Sequence, residues 1–83
     1  MTPIGREVTV QETTVGDLDG VSCGAANLWD GEVSLTTWSD TVPELTRRVA
    51  VGACVEAGAG LWLVVALRDP PGRLGSVTLR RVG

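Results

Sequence analysis

The chain reads as an all-β protein, a small antiparallel barrel or sandwich of about six strands. Three observations predict this. Apolar residues alternate with polar ones at period two in several short runs, and helical periodicity is rare. Turn-forming Gly, Asp, Asn and Pro separate those runs at short spacing. Eighty-three residues allow one domain, 1–83, with no linker or repeat inside it.

Glu7-Val8-Thr9-Val10-Gln11 predicts the first strand, with Val8 and Val10 on its core face. Gly16 to Gly20 reads as a loop, because its Gly and Asp tolerate positive φ. Val21 to Trp29 and Glu32 to Trp38 read as a hairpin joined by Asp30-Gly31, the dipeptide a type I′ turn prefers. Counting outward from that turn pairs Leu28 with Val33 and Ala26 with Leu35 on the core face. Asn27 with Ser34, Ala25 with Thr36 and Cys23 with Trp38 then fall on the other face.

Ser39 to Pro43 is a connection. Glu44 to Val51 alternates again, with Leu45, Val49 and Val51 beside Arg47. A short helix beginning near Pro43 is the alternative there, since Pro suits a first helical position. Gly52 to Gly60 is a small-residue loop. Leu61 to Leu67 is a central strand, apolar on both faces, with Trp62 in the core. Asp69-Pro70-Pro71-Gly72 ends it. Ser76 to Val82 closes the chain, with Val77 and Leu79 facing in.

Composition excludes several function classes. The net charge is −3, with seven Arg and no Lys, which argues against nucleic acid and against an anionic membrane surface. The longest apolar run is far too short to span a bilayer. Met1 to Arg6 has no apolar signal-peptide core, so the expected compartment is cytoplasmic. There is no His and no Tyr, so His-based nucleophilic catalysis is impossible and the usual zinc sites are disfavoured. Asp17-Leu18-Asp19-Gly20 fails as a calcium loop, because position twelve would be Ala26 rather than Glu. Gly58-Ala59-Gly60 lacks the Lys of a phosphate loop and the helix of a dinucleotide site. No cofactor is expected. Cys23 and Cys54 read as two free thiols.

The candidate binding residues are therefore few. Trp29 and Trp38 fall off the main core face, and Trp is enriched at interface hot spots. A covering loop or the N-terminal segment is the plainer explanation for them. Glu44 and Glu56 are the carboxylates nearest apolar segments; solvated edge residues are the plainer reading there. Arg47-Arg48 and Arg80-Arg81 each place one Arg toward the core face or its rim, where edge protection suffices to explain them.

The chain resembles a family of short actinobacterial proteins known only as a domain of unknown function. Gly52, Trp62 and Leu79-Arg80-Arg81-Val82 carry the likeness, with Glu7-Val8-Thr9-Val10 at the start. It departs from the pattern at Ala53, Cys54 and Val55, where acidic and aromatic residues are expected. The resemblance implies a compact β fold and no activity.

Two function classes follow. The first is a non-catalytic β module that self-associates or binds a protein or small-molecule partner. In a chain this short, apolar burial barely offsets the entropy of ordering, so a homo-oligomer or another partner would help it. The second is a small accessory enzyme, a cyclase or isomerase of secondary metabolism. It would hold a flexible substrate in an apolar pocket with Trp and a carboxylate.

Overall fold

The computed structural model describes residues 4–83. Met1 to Pro3, part of the stretch read for a signal peptide, lie outside the described residues. Eight strands follow in order: β1 Glu7–Gln11, β2 Val15–Leu18, β3 Val21–Trp29, β4 Glu32–Trp38, β5 Leu45–Ala50, β6 Cys54–Ala57, β7 Gly60–Arg68 and β8 Ser76–Arg81. They form two four-stranded antiparallel sheets, β1-β8-β7-β6 and β2-β3-β4-β5. Consecutive strands thus pair from β2 to β5 and from β6 to β8, and β8 returns to pair with β1. The ring is open between β1 and β2 and between β5 and β6, so the fold is a sandwich and not a barrel. Among the described residues no helix is long and apolar enough to cross a membrane.

Two strands exceed the six expected. β2 overlaps the segment 16–20 expected to be a turn or loop, and β6 lies inside the small-residue segment 52–60. Both have only four residues, and Gly16 and Asp17 mask the alternation of β2. Leu18 pairs directly with Val21 across Asp19-Gly20, so this hairpin uses the same dipeptide as Asp30-Gly31. All four turn residues have positive φ, between 55° and 91°, as a type I′ turn demands. Residues 45–50 are a strand rather than the start of a helix.

The β3–β4 register corrects the expected one. Trp29 pairs with Glu32 as expected, but Ala26 pairs with Ser34, Ala25 with Leu35 and Cys23 with Thr37; Trp38 faces Ser22. A β-bulge at Asn27-Leu28 sets two residues against Val33, with Asn27 in the left-handed region at φ 52°. One inserted residue reverses every side chain beyond it. Ala25 is therefore buried and Ala26 exposed, and Cys23 belongs to the core, not to the outer face with Trp38.

The bulge is held from both sides. Leu28 N donates to Glu12 Oε2 at 3.1 Å, and Asn27 O accepts from Arg48 Nη1 at 2.6 Å. Arg48 Nη1 also donates to Ser34 Oγ, and its Nη2 to the carbonyls of Trp29 and Glu32. Nε completes an ion pair with Glu32 at 3.3 Å. The outward Arg of its pair is thus a clasp for the hairpin.

Trp62, Leu18, Leu35, Leu79, Val10, Val33, Val55, Val64 and Val77 fill the space between the sheets, each almost fully buried. Cys23 lies among them, and burial pushes its thiol up to about 11. Both cysteines are unpaired; Cys54 is exposed on β6 rather than in a loop. The central strand β7 is apolar on both faces, yet only one is covered: Leu61, Leu63 and Val65 stay half-buried.

A candidate ligand cleft at the β5–β6 corner

Strand β5 carries the site because its inner face outruns its cover. Leu45, Arg47 and Val49 alternate toward the interior, but only Val49 is buried. The other edge strand at this corner, β6, has only two inward residues, Val55 and Ala57. The result is a cleft of about 420 Å³ lined by Thr37, Val42, Pro43, Glu44, Leu45, Arg47, Glu56 and Gly58.

The connection before β5 forms one wall. Ser39 Oγ accepts from the N–H groups of Thr41 and Val42, and Ser39 N donates to Val42 O. This tight turn delivers Val42 and Pro43 to the cleft as an apolar surface. Thr37, the last buried residue of β4, makes its floor.

Two of the four candidate residues meet here. Glu44 and Glu56 both line the cleft, with Arg47 the cation on the same lining. Among the described residues none of the three enters an ion pair. The site therefore offers two carboxylates, one guanidinium and an apolar wall. Leu45 and Arg47 had stronger claims than their sequence suggested; the signal was an alternating strand at a sheet edge, with a short strand next in the chain.

Trp29 and Trp38 are not in the cleft. Both stand on the outer face of the β2-β3-β4-β5 sheet, Trp29 exposed and Trp38 half-buried. No loop covers Trp29; the Arg48 guanidinium lies 4.8 Å from its ring centre. The other Arg pair behaves differently. Arg80 meets Glu7 at 2.6 Å on the surface, whereas Arg81 is buried and meets Asp19 at 2.8 Å. Among the described residues no group of three His, Cys, Asp or Glu side chains could hold a metal ion.

Comparison of the chain with family models, curated proteins and solved structures gives no match.

Proposed function

We propose that this chain is a non-catalytic binding module whose ligand enters the β5–β6 cleft. The uncovered inner face of β5 carries the reading: Leu45 and Arg47 occupy core-facing positions yet remain exposed. An occupant there would complete the sandwich. Its chemistry follows from the lining. Val42, Pro43 and Leu45 suit an apolar body, and two carboxylates against one guanidinium favour a cationic group. The ligand is a small amine or a partner segment that presents one beside an apolar side chain. An accessory enzyme finds less support, because the indoles it would need stand away from both carboxylates.

The test is a set of three probes of one shape. Leucinamide carries only the ammonium, leucine both charges, and isocaproate only the carboxylate. Amide resonances of residues 44–47 and 56–58 should shift most with leucinamide at millimolar concentration and least with isocaproate. Shifts with none of them, or the reverse order, would reject the reading.

A second reading, self-association, rests on the outward Leu61 and Leu63 of β7, which leave an apolar stripe on the other sheet. Light scattering across a wide concentration range decides it, since a constant monomer mass removes it.

A further inference from the structure

The outer face of the β2-β3-β4-β5 sheet has a second, independent set of contacts. Arg48 lies flat on that face, fixed by the carbonyls of Asn27, Trp29 and Glu32 and by Ser34 Oγ. Trp29 stacks on it at 4.8 Å. The layers run sheet, guanidinium, indole, so one ring face is backed and Trp29 remains 60% exposed. At the far end of β4, Trp38 lies over Gly24, its Cζ3 and Cη2 3.5 and 3.6 Å from where a Cβ would stand, which is ordinary van der Waals contact with the sheet. Both indoles are thus supported from beneath and held apart. Trp29 pairs with Glu32 and Trp38 lies six residues along the same strand, a separation of roughly 20 Å at the rise of a β-strand.

The surface between them carries small and hydroxylated side chains. Ser34, Thr36 and Thr46 point outward beside Ala26, and the Thr36 and Thr46 hydroxyls bond each other at 2.7 Å. Between the indoles its charges are paired, Arg48 with Glu32, and the one carboxylate without an ion pair among the described residues of this face lies at its end. Asp17 stands beside Ser22 at the Trp38 end, with Oδ1 accepting from Gly20 N.

Charge complementarity therefore selects a neutral ligand, and backed indoles select one with flat apolar faces rimmed by hydroxyls. We infer that this face binds an unbranched neutral polysaccharide strand, its sugar rings stacking on Trp29 and Trp38 and its hydroxyls meeting the Ser and Thr between them. The site is separate from the β5–β6 cleft and does not depend on it.

Cellohexaose and xylohexaose are the probes, followed by tryptophan fluorescence and calorimetry. At least one should quench or shift the emission and bind. Trp29→Ala should weaken binding about tenfold, as expected for loss of one stacking contact. Trp38→Phe should weaken it less, and Leu45→Ser in the cleft should leave it unchanged. Trp29 is largely exposed, so its variant keeps the fold, and an unchanged melting temperature verifies that. Binding of neither hexaose, or equal binding by Trp29→Ala, would overturn the inference.

Discussion

At Gln11–Thr14 and again at Ala50–Ala53 the chain crosses from one sheet to the other by the same device. A four-residue turn closes with an N–H to C=O bond of 3.1 Å, and its third residue, Thr13 or Gly52, has positive φ. The corners nevertheless end differently. Beside the first, the edges are stitched. Glu12 Oε1 accepts from Gly75 N at 2.7 Å, Oε2 accepts from Leu28 N, and Glu12 N donates to Gly75 O. Gly16 brings β2 so close to β1 that a Cβ there would meet Val10 Cγ2 at 2.6 Å. Arg81 ties β8 to Asp19 in the β2–β3 turn. Away from the second corner, Glu44, Arg47 and Glu56 face the cleft, and among the described residues none of them enters an ion pair. The molecule thus concentrates polar cross-links on one edge, and the other is where we propose that a ligand enters. Substitutions on the two edges should therefore differ in kind.

The largest loss is expected from Asp19→Asn. The substitution keeps a residue tolerant of the left-handed turn while removing the negative charge that faces the buried Arg81 guanidinium, whose Nε donates to Gly83 O. It should cost about 3 kcal/mol in denaturant unfolding. It should also speed alkylation of Cys23, which in the parent protein is shielded while exposed Cys54 reacts. An unchanged unfolding midpoint would mean that Arg81 does not depend on this pair.

Glu12→Gln comes next, at about 2 kcal/mol, because one amide cannot accept from both N–H groups as a carboxylate does. The bonds from Gly75 and Leu28 hold the Glu12 carboxyl below its ordinary value. A carboxyl lowered by folding contributes stability above its unfolded pKa and loses it as pH falls through the folded one. The parent protein should thus lose stability on acidification more steeply than Glu12→Gln, as paired pH titrations of the unfolding midpoint would show.

The turns themselves should respond in opposite directions. Gly52→Ala forces a Cβ into the left-handed region and should cost about 1 kcal/mol. Thr13→Gly removes that strain at the stitched corner and should gain about 0.5 kcal/mol, net of the freer unfolded chain. Melting temperatures of the two variants, compared with the parent, check the signs.

The smallest effect on stability belongs to the open edge. Leu45→Ser and Glu56→Gln alter exposed side chains and should each change stability by less than about 0.5 kcal/mol. Both should abolish the resonance shifts caused by leucinamide. Retained shifts would move the ligand elsewhere.

Much of the fold was legible because its strongest signals are local. Glu7 to Gln11 alternates, Leu61 to Leu67 is too apolar for anything but an interior strand, and Asp30-Gly31 announces its turn. The Asn27 bulge was not legible, since Asn in the left-handed region looks on paper like any polar residue of a strand. It alone moved Cys23 to the core and put Ser22 opposite Trp38. Of the site, Glu44 and Glu56 could be singled out as carboxylates near apolar segments. Their meeting could not be foreseen, because the cleft gathers residues of β4, the 39–44 connection, β5 and β6, and β6 is a four-residue strand that the sequence hides. Glu12 and Asp19 escaped notice for a related reason: their partners lie more than sixty residues away, at Gly75 and Arg81.

The chain-order arrangement of the strands also bears on how quickly the protein can fold. Every ladder within the two sheets joins consecutive strands, except that between β1 and β8. Hairpins such as β2–β3 and β3–β4 can zip soon after collapse, at little entropic expense. The β1–β8 seam has to bring Thr9 to Thr78 across 69 positions before any of its bonds can form. Loop closure over that span places the seam late, and with it the Arg80–Glu7 pair and the Gly75 contacts of Glu12. A circular permutant that grafts residues 5–12 after Gly83 would turn this distant pairing into one more hairpin and remove the slowest closure from the path.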